Sequence, residues 1–409
     1  MFDIRTTRSA PQARSARTSL GRAAVRGIAL GALAALSLAA GVPAGAAAAP
    51  EPAEWVALGD SYTAGVFVGE PRPALGSADR DGCDRTTGAY PNLVERRLTA
   101  EPPAGRLVRL TDFSCGGATI NEIASARQTP ISPVRAPEDG WPSVASQVDR
   151  AGLSASTDVV TIGVGGNSLP FGKILTSCLL AGIGQPDEAT PCRDAYEAGG
   201  SFFDPESIYD KYDRVTREYA GMLRAVHEKA PNARVIAVGY PTILPEDPTT
   251  CDRQDTTELA ADIKDFDRLS ATHGDIAWLG EVNTHLNAIV EAVTELSDDT
   301  YVDTAASSVG HDACGPRATK WVEGVCGEAG PYWPDELAVG PLTLTCSGGD
   351  RATLVHPNAA GHAHTATRVE AAVRTALTPA TSRSRRRIPE GAAAGSRPPR
   401  PRCIDHERC

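Results

Sequence analysis

Four short stretches hold the residue types that could do chemistry. Ser61 lies in "EWVALGDSYTAG" (54–65), where an apolar run meets Gly59, Asp60 and a turn of small residues. A serine placed there can be a helix cap, a turn residue or a nucleophile. His356 lies in "LVHPNAAGH" (354–362), just before Pro357 and Asn358, which begin a helical pattern. A serine nucleophile needs a base for its proton, and an imidazole suits that role near neutral pH. The tetrahedral intermediate of acyl transfer also needs donors aimed at its oxyanion. The remaining stretches are "SCGGAT" (114–119) and "GVGGNS" (163–168), each of which closes an apolar run. Gly, Ser and Asn are ordinary turn formers, so each stretch alone says little. Their coincidence at the ends of successive apolar runs says more.

Those runs are the elements that must position the chemistry. The runs at 54–59, 106–113, 158–166 and 233–241 are short, β-rich and almost continuously apolar, as strands covered on both faces are. Helical patterns separate them at 90–100, 141–152, 205–231, 275–297 and 358–377, with a fifth strand expected in "TYVDTA" (300–305). Asn358 is placed to cap the last helix. The alternation predicts an α/β fold: a single three-layer domain whose central parallel sheet of about five strands carries helices on both faces. In such sheets ligands bind at the carboxyl ends of the strands, where three of the four stretches fall.

The 409 residues carry a net charge of −11, unevenly spread. Residues 1–46 and 380–409 are each net +5, which leaves −21 on the residues between. A surface that acidic argues against nucleic acid or an anionic membrane as the main partner, leaving at most transient contact with a lipid interface. Residues 1–49 read as a signal peptide: Arg-rich, then the apolar run "GIALGALAALSLAAGV" (27–42), then small residues fit for cleavage near Ala46–Ala49. Secretion, an extracellular location and a folded domain over 50–379 are therefore expected. Residues 380–409 turn to Arg, Pro, Ser and Gly and read as a disordered basic tail.

In an oxidising compartment Cys83, Cys115, Cys178, Cys192, Cys251, Cys314, Cys326 and Cys346 are expected in disulfides. Eight cysteines allow 105 pairings, and the sequential one (83–115, 178–192, 251–314, 326–346) is carried forward. No CxxC pair occurs, and His356, His362 and His364 point in different directions on a helix, so no metal and no cofactor are expected.

Taken in order, GDS at the first strand, "CGGAT" at the second, GGN at the third and "HPNAAGH" near the end resemble the SGNH (GDSL) hydrolases. "CDRTTGAYP" (83–91) and "GHDACGPRATKWVEG" (310–324) are similar to stretches of the secreted, disulfide-containing actinobacterial lipases and esterases. The resemblance covers about residues 54–377. It implies a flavodoxin-like SGNH fold and a serine ester hydrolase acting through an acyl-enzyme, with a small-molecule or lipid ester as substrate. It makes Ser61 the nucleophile and His356 the base. Oxyanion donors would be the N–H groups of Ser61 and Gly117 and the side-chain amide of Asn167. Many members carry Asp three residues before the histidine; Thr353 stands there, so its backbone carbonyl is expected to orient the imidazole. Asp350 and Asp303 are the alternatives. The motif is not the GxSxG elbow, because Thr63 occupies the second glycine position.

Asp60 is expected to hold the turn, and Gly165 and Gly166 to allow close backbone approach around Asn167. His362 and His364 are expected to pack or lie on the surface. Tyr62, Phe67, Trp321 and Trp333 either wall an acyl pocket or anchor loops. A carbohydrate esterase, an acyltransferase and a non-catalytic wall-binding protein of the same fold are the competing functions, and a monomer is expected.

Overall fold

The computed structural model describes residues 51–378, apart from 203, 267, 340 and 341. The signal-peptide and basic-tail expectations lie outside the described residues. The first four apolar runs form β1 (Ala53–Gly59), β2 (Val108–Asp112), β3 (Val159–Gly163) and β4 (Arg234–Val238). Two short strands, β5 (Ala260–Ile263) and β6 (Leu269–Ser270), then leave the sheet before β7 (Thr300–Val302) returns to it. The central sheet runs β2-β1-β3-β4-β7, with every pair parallel.

Both faces of this sheet are buried, which is why its strands read as unbroken apolar runs. Side chains alternate between two cores. Trp55, Val159, Ile236 and Val302 pack with Tyr90, Val94, Val369 and Val373 on one face. Val56, Leu58, Val160, Ile162 and Val235 pack with Ile120, Tyr219, Met222 and Leu286 on the other. The first core is covered by α2 (Tyr90–Ala100) and α9 (Ala359–Leu377), which follow α1 (Ser61–Ala64) in our numbering. The second is covered by α3 (Ile120–Ala124), α7 (Ile208–Lys229) and α8 (His273–Leu296). In α7, Ile208, Val215, Tyr219, Met222 and Val226 recur at three-, four- and seven-residue steps and are all buried, and Ser207 caps its start.

Three features depart from the expectation. The stretch 141–152 forms only a single turn, α4 (Gln147–Arg150), because Ser146 caps it and buried Gln147 turns towards the end of β1. Helices α5 (Phe171–Ala181) and α6 (Pro191–Ala198) lie in a segment without a clear period. A small antiparallel sheet, β6-β5-β10-β9, was also unexpected; it is completed by β9 (Glu336–Val339) and β10 (Leu342–Thr345). On either side of β9 and β10 in the chain come β8 (Cys326–Gly327) and β11 (Arg351–Ala352), which pair with each other. These strands are two to four residues long, too short for a period of two to register. Four disulfides join 83–115, 178–192, 251–314 and 326–346, the sequential pairing.

Candidate active site

Gly59 ends β1 in a crowded position. A Cβ there would lie 2.6 Å from the Gly163 carbonyl at the end of β3 and closer still to Thr63, so only glycine fits. The Asp60 N–H donates to that same carbonyl at 3.0 Å, and the Asp60 side chain caps α1 by accepting from Tyr62 N–H at 3.0 Å. The cap is therefore Asp60, and Ser61 is the first residue of a one-turn helix on the carboxyl edge of the sheet.

His356 reaches this edge from the other end of the chain. Its Nε2 lies 2.8 Å from Ser61 Oγ. Its Nδ1 lies 3.0 Å from the Thr353 carbonyl and 2.9 Å from that of Leu354. A nitrogen facing two carbonyl oxygens must carry the hydrogen, which leaves the Nε2 lone pair to accept from the serine hydroxyl. The turn that aims both carbonyls is unusual: Leu354 and Val355 both take left-handed φ, 49° and 61°. It is held by Val355 N–H to Gly324, by Leu354 N–H to Val325, and by the Tyr62 hydroxyl, which donates to the Val355 carbonyl at 2.6 Å. Asn358 caps α9 with its Oδ1 while its amide donates to Lys320 and Glu323, fixing the segment beyond His356.

The carbonyl of Thr353 thus faces the imidazole Nδ1 together with that of Leu354. The two aspartates are elsewhere. Asp350 is in a two-pronged ion pair with Arg317, and Asp303 accepts from the N–H groups of Ala305 and Ala306.

Gly117 and Asn167 line the same cavity as Ser61 and His356. Gly117 takes φ 77°, which turns its peptide as a residue with a side chain rarely does. Among the described residues the N–H groups of Ser61 and Gly117 donate to no protein acceptor. Asn167 spends one amide hydrogen on the Ala118 carbonyl at 3.0 Å, leaving the other free. Three residues with an unspent donor therefore line one cavity with a hydrogen-bonded hydroxyl and imidazole. That arrangement can activate an alcohol and stabilise the anion its attack creates.

Burial sets the electrostatics. It lowers the His356 imidazole to about 4, against the opposing pull of its two carbonyl partners. It raises the Asp60 carboxyl to about 7, while hydrogen bonds from Tyr240 and Tyr62 pull the other way. His362, packed against Tyr90 with its Nδ1 accepting the Tyr90 N–H, falls to about 3 by burial. His364 lies at the surface against Ser307.

Two positioning residues escaped the sequence reading. The Tyr240 hydroxyl donates to Asp60 and accepts from Gly166 N–H, tying the GDS turn to the GGN turn. It follows β4, at the same sheet edge, so the strand-end rule could have found it. The buried Gln147 amide donates to the Gly59 carbonyl and accepts the Gly59 N–H, at 2.8 and 2.9 Å. Nothing in the sequence marks that. Tyr62, Phe67 and Trp333 line the cavity, and Phe67 lies edge-on to both His356 and Trp333. Trp321 does not: it is stacked between His311 and His364. The cavity holds about 490 Å³, and Phe171, Leu175, Ile243, Leu286, Leu337 and Val339 make much of its wall.

The sequence profile of the GDSL-like Lipase/Acylhydrolase family matches residues 57–364. Lipase 2 of Streptomyces coelicolor is 33% identical over 273 residues, covering 66% of this chain and 76% of that protein. An esterase of Streptomyces scabiei is 31% identical over 238 residues, covering 55% and 62% respectively. The crystal structure of phospholipase A1 from Streptomyces albidoflavus NA297 is similar with a TM-score of 0.47 and 19% identity, covering 79% of this chain and 99% of that one.

Proposed function

Because the chain belongs to the GDSL-like lipase/acylhydrolase family and is a carboxylic ester hydrolase, we propose that it cleaves esters of aliphatic acyl chains through an acyl-enzyme on Ser61. His356 Nε2 takes the Ser61 proton as Oγ attacks the ester carbonyl. The resulting oxyanion is met by the N–H groups of Ser61 and Gly117 and the free amide hydrogen of Asn167. When the tetrahedral intermediate collapses, the alkoxy oxygen leaves with the proton from His356, as an alcohol. Water then repeats the sequence on the acyl-enzyme and releases the acid.

The Thr353 and Leu354 carbonyls keep the imidazole in its working tautomer and share the charge of the imidazolium. A carbonyl does this less strongly than a carboxylate. The developing oxyanion across the site supplies the rest of the attraction in a poorly solvated cavity.

The observation that carries this reading is the 2.8 Å contact between Nε2 and Oγ beside a largely apolar cavity. Apolar walls suit an acyl chain better than the open groove that acetylated polysaccharides need. Four disulfides support action outside the cell. Ser61→Ala should abolish turnover of a p-nitrophenyl ester and labelling by a fluorophosphonate, with the fold intact by circular dichroism. Hydrolysis at the wild-type rate would refute the assignment.

A further inference from the structure

We propose that Gln128 is a positioning residue for the reaction: its buried side-chain amide holds the Gly116–Gly117 peptide in the orientation that aims the Gly117 N–H at the oxyanion. This rests on the reading of Ser61, His356 and Gly117 given above and adds the residue that keeps the donor pointed.

Gly116 and Gly117 are the central residues of a β-turn. The Ala118 N–H donates to the Cys115 carbonyl at 3.1 Å, and the Gly117 φ of 77° is that of a type II turn. Types I and II differ by a near half-turn of the peptide that joins the central pair. In a trans peptide the carbonyl and the N–H point opposite ways. That half-turn would therefore withdraw the Gly117 N–H and present the Gly116 oxygen in its place. Glycine at both positions leaves little steric preference between the two forms.

The Cys83–Cys115 disulfide and the Gly116 N–H to Cys83 bond tie the entry of this turn, not its central peptide. Gln128 ties the central peptide: its Nε2 donates to the Gly116 carbonyl at 2.9 Å. That carbonyl and the Gly117 N–H are two ends of one rigid unit, so a donor fixed on the oxygen fixes the direction of the N–H. It also polarises the unit, which strengthens the N–H as a donor. Gln128 is itself immobile. It is 3% exposed, and its backbone N–H and carbonyl pair with Val144 at 3.0 and 2.8 Å. Its Oε1 is buried with no hydrogen-bond partner among the described residues. An apolar side chain of similar shape would avoid that cost. What the amide supplies in return is the contact with Gly116.

Two variants test this on p-nitrophenyl butyrate. Gln128→Met keeps the length and removes both the donor and the unpaired Oε1, so its melting temperature should not fall. Its kcat should drop about tenfold or more with KM little changed, since the loss is felt in the transition state. In Gln128→Glu a protonated carboxyl can still donate to the Gly116 oxygen, whereas a carboxylate repels it. The ratio of its kcat to that of wild type, taken at each pH so that the His356 limb cancels, should fall as pH rises through the carboxyl's pKa. Burial holds that pKa above the ordinary value of about 4.3. A residue that merely packs would give no such pH course, and this second variant decides the matter if Gln128→Met fails to fold. A folded Gln128→Met with kcat within about twofold of wild type, or a ratio for Gln128→Glu that is flat with pH, would overturn the proposal. Either outcome leaves ester turnover in hand, so it is distinct from failure of the Ser61 reading, which would leave Ser61→Ala as active as wild type.

Discussion

The proposed chemistry rests on a single contact, the carbonyl-bound imidazole against a helix-start hydroxyl. Burial fixes the range over which that imidazole can serve. A general base must be unprotonated to accept the serine proton, so it works at pH values above its own pKa. An exposed histidine would lose half its basic form near 6.5; His356, at about 4, keeps it down to mildly acidic solution. The acid limb assigned to His356 should therefore fall near pH 4, and the ring signals of His356 in an NMR titration should move there. Titration of His356 near 6.5 would show that water reaches the imidazole and that the buried geometry does not hold in solution. Asp60, held up to about 7, lies one residue from the proposed nucleophile, but its oxygens face Tyr62 and Tyr240, so it shapes the turn.

At the scale of elements, the site is a meeting of strand ends. β1 and β3 deliver Ser61 and Asn167 because their registers place Gly59 beside Gly163. The buried Gln147 amide then closes the end of β1 by pairing both backbone groups of Gly59. Gln147→Met keeps the volume but removes the acceptor for the Gly59 N–H; the carbonyl still has Cys115 N–H. One orphaned buried donor costs about 2 kcal/mol, which should appear as a lower denaturant midpoint with an unchanged slope. An unchanged midpoint would mean that the Gln147 pair contributes nothing to stability. This contact also shows where sequence reading stops. The five central strands, the long helices and the Ser61, Gly117, Asn167 and His356 blocks were legible, because burial on both faces and glycine at strand ends leave marks in residue type. Gln147 was not, since a polar side chain folded inward reads like any exposed one. The strands β5, β6, β9 and β10 were not either: each is four residues or fewer, and their pairing is set by partners up to 83 positions away, as with Thr345 and Asp262.

At the scale of the whole molecule, the four disulfides do different work. In the chain-entropy account, the bridge over a separation of 32 residues between Cys83 and Cys115 stabilises by about 4 kcal/mol and the 14-residue bridge between Cys178 and Cys192 by about 3 kcal/mol. Stability alone would make their removal nearly equivalent. Their positions make it unequal. Cys115 begins the turn that presents Gly117, and the Cys83 carbonyl holds Gly116 N–H at 3.0 Å. Cys178 and Cys192 join α5 to α6, and the hydrogen bonds that Cys192 makes, with the Asp275 carboxylate and the Ile174 carbonyl, reach none of Ser61, His356, Gly117 and Asn167. The double variant Cys178→Ala/Cys192→Ala should therefore unfold at a lower temperature yet keep its kcat at 25 °C. Cys83→Ala/Cys115→Ala should lose kcat by tenfold or more with KM little changed, since what loosens is the donor proposed to act in the transition state. Equal kcat in the two folded variants would show that the oxyanion turn keeps its shape without its covalent tie.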